Sequence, residues 1–91
     1  MVLKNRSTGE VQNLKTDGVF IYVGIKPQSD PFDVVKRDRE GFILVDENMA
    51  TSIKGIYAAG DVRAGSPRQV SAAVGDGTIA VLAAEEYIAS L

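Results

Sequence analysis

The sequence predicts an α/β fold in which short buried strands precede a long C-terminal helix. Three observations carry this expectation. Residues 19–23 (VFIYV) form a continuous run of β-branched and aromatic side chains, the pattern of a strand covered on both faces. Residues 41–45 (GFILV) and 56–59 (IYAA) are shorter apolar runs set between polar, turn-rich stretches. Beyond these, the spacing of apolar residues changes to a helical period that runs to the end of the sequence.

Taken in order, the first element is a hairpin. Residues 2–5 and 10–14 flank RSTG, polar turn residues closed by Gly9. Asp17-Gly18 punctuates the chain before the strand at residues 19–23, and Gly24 ends that strand. The following stretch, IKPQSDPF, holds two prolines and reads as a connection. Lys26, Lys36, Arg37 and Arg39 are interleaved with Asp30, Asp33, Asp38 and Glu40, so this region reads as a solvated loop of mixed charge. The strand at residues 41–45, the polar segment DENMATSIKG and the strand at residues 56–59 follow, and the last strand stops at Gly60.

The helix start is expected at Pro67. Ser66 is a good N-cap, proline suits the first helical position, and Gln69 completes an S-x-x-Q capping box. Val70, Val74, Gly77, Val81, Ala84, Ile88 and Leu91 fall three or four apart and define one apolar-to-small stripe, with Asp76, Glu85 and Glu86 on the opposite face. Gly75 to Ala80 also fits G-x-G-x-x-A. The dinucleotide fingerprint of that form follows a strand and opens a helix, whereas these glycines lie inside the helical stripe, so close helix packing is the reading adopted.

Composition narrows the chemistry. The 91 residues are enough for one small domain, with a net charge of −2 and no basic cluster of the kind a nucleic-acid surface carries. There is no cysteine and no histidine, which removes disulfides, thiol nucleophiles and imidazole acid–base chemistry from these residues. No apolar run approaches the roughly 20 residues of a membrane span, and MVLKNRSTGE has no apolar core of signal-peptide length. A soluble cytoplasmic chain is expected. Asn5-Arg6-Ser7 is then a chance sequon.

Two features remain as candidate chemistry. Asp61 stands just past the end of the third strand, after a glycine. It reads either as a turn former or as an acceptor for ligand hydroxyls, since ligands of open α/β sheets bind beyond the carboxyl ends of strands. Gly60 would let the backbone come close to such a ligand. The helix N-terminus is the second feature, because its free N–H groups carry about half a positive charge.

Here the sequence resembles a family. TSIKGIYAAGDV (residues 51–62) resembles the second FAD fingerprint, T-x-x-x-G-[IV]-[FY]-A-x-G-D, of flavoproteins with two dinucleotide-binding domains. RQVSAAVGDGTIA (68–80) and AEEYI (84–88) resemble the closing helix of the low-molecular-weight thioredoxin reductases. TGE (8–10) and DGVFIYVG (17–24) are similar to the end of that family's NADPH domain. The resemblance covers nearly all 91 residues and departs at Gln28, where the family more often has asparagine after the proline.

The resemblance implies the C-terminal part of an FAD-dependent oxidoreductase, one that moves electrons from NAD(P)H through FAD to a disulfide. Residues 1–24 would be the tail of the NAD(P)H-binding domain, and residues 25–91 the C-terminal part of the FAD-binding domain. Asp61 would bond the ribityl hydroxyls of FAD. Gly60 would allow close approach, and the Val62 backbone N–H would face the pyrophosphate. Arg68, Gln69 and Val70 would set the helix N-terminus against the pyrimidine edge of the flavin, where the helix dipole favours negative charge. The implied partners are the missing N-terminal segment of the same enzyme, a thioredoxin-like protein and a second copy in a homodimer, with no nucleic acid and no membrane. That segment would supply the FAD glycine loop, the NADPH loop and the C-x-x-C pair. A ferredoxin–NADP reductase of thioredoxin-reductase type, a cysteine-free flavin oxidoreductase and a non-enzymatic assembly module are the alternatives.

Overall fold

The computed structural model describes residues 1–91 and is α/β, with a hairpin at one end and one long helix at the other. The chain begins with the antiparallel pair β1 (Val2–Lys4) and β2 (Val11–Asn13), in the register Val2↔Asn13, Leu3↔Gln12 and Lys4↔Val11. Local chemistry specifies the turn. Asn5 Oδ1 accepts the Ser7 and Thr8 N–H groups at 2.9 and 3.2 Å, and Gly9 supplies φ +74°. Both strands are exposed except at Leu3, so the hairpin has no core of its own.

The buried part lies between residue 27 and the helix. Val35, Ile43 and Ala58 form its centre, with Val45 and Val62 packed against them. Ile43 bridges to Arg37 on one side and, in parallel, to Arg63 on the other. Its N–H donates to Val62 O at 2.9 Å and its carbonyl accepts Ala64 N–H at 2.8 Å. Tyr57 bridges to Ala50, and Ala58 N–H donates to Met49 O at 3.0 Å. Carboxylates close the turns between these segments: Asp38 Oδ1 accepts the Glu40 and Phe42 N–H groups, and Asp46 Oδ1 those of Asn48 and Ala50. Buried Ser29 donates to Gly41 O and accepts from Arg37, which also pairs with Asp30 at 3.2 Å. The mixed-charge loop is therefore partly a bonded scaffold.

Three expectations need correction. Residues 41–45 and 56–59 are extended segments joined by single bridges, shorter than the strands expected. Residues 19–23 are unpaired, with Phe20, Ile21, Tyr22 and Val23 at 83–99% exposure. A strand covered on both faces needs neighbours on its edges and faces, and these 91 residues supply none. The molecule is accordingly long and thin, 65 × 25 × 20 Å, with a radius of gyration of 19.6 Å where a compact chain of this length has about 12 Å.

The third correction concerns the helix, α1 (Val70–Ala89). It starts at Val70, not Pro67, and the S-x-x-Q box does not form. Ser66 Oγ instead accepts Arg68 N–H at 3.1 Å, and Arg68 sits at φ +58°. That left-handed residue interrupts the helical run before it can begin. The buried face also differs. Val70, Val74, Val81, Ile88 and Leu91 are exposed, whereas Ala73, Asp76, Ala80, Ala83 and Tyr87 face inward. The inward face is rotated by about a quarter-turn from the apolar stripe, with half-buried Gly77 and Ala84 shared between them. Small side chains let the helix lie close to the loop. Tyr87 packs against Gly55, where a Cβ would stand 3.3 Å from the ring, and the Tyr57 hydroxyl donates to Ala83 O at 3.3 Å.

Candidate functional site

The site begins where the extended segment runs out. Ala59 is still extended at φ −139°, ψ 153°, and the chain then turns through a short 3-10 helix, Gly60–Val62. Gly60 is buried at φ +82°, where an L side chain is strained, and a Cβ there would meet Ala73 Cβ at 3.5 Å. The turn thus rests on the first turn of α1. Arg63 N–H closes it onto Gly60 O at 3.1 Å.

Asp61 projects from the middle of this turn. It is exposed, and none of the side-chain hydrogen bonds or ion pairs of the chain involves its carboxylate. The turn closes through Arg63 N–H on Gly60 O without any bond from the Asp61 carboxylate. Val62 is half-buried against the core, and its carbonyl is taken by Ile43. Arg68, Gln69 and Val70 all sit at the start of α1. Gln69 is the N-cap with no side-chain cap bond, and its carbonyl accepts Ala73 N–H at 3.0 Å. Val70 is 82% exposed, and the Arg68 guanidinium lies 5.3 Å from the Phe42 ring centroid. The expected positions therefore lie on two features, a turn whose Asp61 carboxylate has no partner in the chain and a helix start without a side-chain cap, with Gly60 of the turn lying against Ala73 of the helix.

A further residue emerges from the structure. Asp76, expected on the solvent face of the helix, is buried beneath the turn. Its Oδ2 accepts the Gly60 N–H at 3.0 Å and Arg63 Nε at 2.6 Å, while Oδ1 accepts Arg63 Nη2 at 2.9 Å. The Arg63 hydrogen bonds hold the Asp76 carboxyl below its usual range, against the opposing effect of burial and with help from Gly60 N–H. Arg63 is raised in turn, chiefly by the same bonds. The inward spacing Ala73, Asp76, Ala80, Ala83, Tyr87 is visible in sequence once small residues are allowed to define a buried face; the Arg63 partner is not.

A pH dependence follows. A carboxyl whose folded pKa lies below its unfolded value stabilises fully above about pH 4 and loses that contribution as pH falls through the folded value. Asp76→Asn is expected to melt below the parent chain at neutral pH, with the gap narrowing in acid. Helix circular dichroism melts at pH 7 and pH 3 check this. A gap that stays constant would mean that the Asp76 charge contributes nothing.

Comparison with known proteins decides the family. Residues 2–77 match the family described as pyridine nucleotide-disulphide oxidoreductase. The chain belongs to the pyridine nucleotide-disulphide oxidoreductases. It is 48% identical over 89 residues to a 34.2 kDa protein in the rubredoxin operon of Clostridium pasteurianum, and 44% identical over 92 residues to thioredoxin reductase of Bacillus subtilis (strain 168). These matches take in 97% and 100% of this chain but 29% of each relative. Among solved structures, T. acidophilum thioredoxin reductase superposes with a TM-score of 0.82 at 47% identity, over 98% of this chain and 29% of that one. This pyridine nucleotide-disulphide oxidoreductase chain thus spans less than a third of the relatives it resembles. No helix in it is long and apolar enough to cross a membrane.

Proposed function

We propose that the chain is the C-terminal segment of a thioredoxin reductase-like flavoprotein and forms one wall of its FAD site. The observation that carries this reading is the exposed, unpartnered Asp61 carboxylate at the end of the extended segment, on a turn seated against the first turn of α1. The donor set fits the cofactor. Asp61 suits the ribityl hydroxyls, the glycine at 60 keeps the backbone slim beside it, and the Val62 N–H would serve the pyrophosphate. The helix start at Arg68, Gln69 and Val70 suits the electron-rich edge of the flavin ring. In the complete enzyme, bound FAD would supply the redox chemistry that links NAD(P)H to a disulfide. The residues here bind and orient it.

The division into residues 1–24, the tail of the NAD(P)H-binding domain, and residues 25–91, part of the FAD-binding domain, is supported by burial. The first buried residue along the chain is Pro27. The whole enzyme would act in the cytoplasm, as a homodimer, on a thioredoxin-like protein. The exposed apolar run at residues 20–23 and the open apolar stripe of α1 favour one second reading, a non-enzymatic module that associates through these faces.

Co-expression with a polypeptide carrying the remainder of a relative such as the Bacillus subtilis enzyme separates the two. The expected product is a yellow complex with flavin absorbance that co-elutes with this chain. A colourless product, or a chain that only self-associates, rejects the flavin reading.

A further inference from the structure

We propose that Asp76 and Arg63 are positioning residues for Asp61, holding the turn so that its carboxylate stands where flavin hydroxyls meet it; this rests on the FAD site proposed above. Asp61 has no partner within the chain, so the backbone of residues 60–62 sets the direction in which its side chain leaves the turn and hence the space its carboxylate can reach. That backbone is gripped on both flanks by one helix carboxylate. Asp76 Oδ2 takes the Gly60 N–H at 3.0 Å on the near side, and both Asp76 oxygens take the Arg63 guanidinium on the far side, at 2.6 and 2.9 Å. A planar guanidinium meeting a carboxylate at two points fixes direction as well as distance.

The grip is tied into the rest of the molecule. Arg63 Nη1 donates to Ala64 O at 3.1 Å, and Ala64 N–H donates to the buried Ile43 at 2.8 Å. Asp76 sits one helical turn beyond Ala73, the residue against which the turn rests, so the site inherits the rigidity of a 20-residue helix. A lysine at 63 would keep the charge and lose the fork. An asparagine at 76 would keep an acceptor for Gly60 and lose the charge.

Two measurements test this. Amide hydrogen exchange of the chain itself is expected to show the Gly60 N–H protected by Asp76, and to lose that protection in Asp76→Ala, which leaves no acceptor there; a Gly60 amide unprotected in the parent chain, or equally protected in Asp76→Ala, overturns the proposal. FAD titration of the reconstituted complex then compares Asp61→Ala, Asp76→Asn and the double variant. Asp76→Asn should weaken binding by about tenfold, as loss of the charge-assisted geometry at one bonded group would. The double variant should bind no more weakly than Asp61→Ala alone, because Asp76 acts through Asp61. Losses that multiply across the pair overturn the positioning role, since a merely structural residue adds its effect independently. Arg63→Lys serves as the second variant if Asp76→Asn does not fold. A parent complex that binds no FAD rejects the flavin site itself, whereas binding with multiplicative losses rejects the positioning role alone.

Discussion

Replacing Asp61 with alanine in the FAD-loaded complex is expected to lower the affinity for FAD by about 10- to 100-fold. The carboxylate is exposed and bonds to nothing in its own chain, so its removal deletes acceptor capacity without breaking a turn. Hydrogen bonds to an ionised acceptor contribute about 1.5–3 kcal/mol each, and that range sets the expected factor. Asp61→Asn should fall between parent and alanine, since it keeps one acceptor oxygen and loses the charge. The thermal unfolding of the chain should not move in either variant. Flavin titration of the apo-complex measures the affinity. Equal affinity in all three proteins would show that Asp61 faces no ligand.

What the sequence disclosed follows how local each feature is. The hairpin was legible because Asn5, Thr8 and Gly9 build its turn from their own neighbours. The 20-residue helix was legible from its period, but its start and its buried face were not. Cap chemistry favoured Ser66, yet the chain reaches Arg68 at φ +58° first, a conformation that no side chain in the segment demands. Hydropathy assigned the inward face to the valines. Packing assigned it to alanines, because Gly60 must approach Ala73 closely and because the Asp76 charge has a partner 13 residues away. The strand at residues 19–23 shows the converse. Its composition is that of a buried strand, and it is exposed because none of these 91 residues pairs with it or covers it. Gly60, Asp61, Val62, Arg68, Gln69 and Val70 lie in a turn and at a helix start, places that local sequence signals mark. The residues that hold them, Arg63 and Asp76, are joined only through the fold.

The 91-residue chain alone is expected to show no NADPH-dependent reduction of thioredoxin, and adding the polypeptide that completes the relative should restore it. Chemistry rather than affinity sets this all-or-none outcome. Reducing a disulfide by dithiol exchange requires a thiolate pair, and the chain has no cysteine. Hydride delivery requires a nicotinamide seat, and residues 1–24 form only an exposed hairpin and an unpaired, exposed apolar run. A pyrophosphate cradle of the G-x-G-x-x-G kind needs a strand before it and a helix after it, and the one similar pattern, at residues 75–80, lies within α1. On the proposed reading, Asp61 and the helix start would form one side of a flavin site, too little to retain FAD against the loss of its other contacts. The assay combines purified chain, NADPH, added FAD and thioredoxin, followed by the same mixture with the complementing polypeptide. Turnover that co-purifies with the chain alone would reject this reading. With activity restored, protection of residues 20–23 and of Val70, Val74, Val81 and Ile88 from hydrogen exchange or surface labelling on mixing would identify these exposed faces as native packing surfaces.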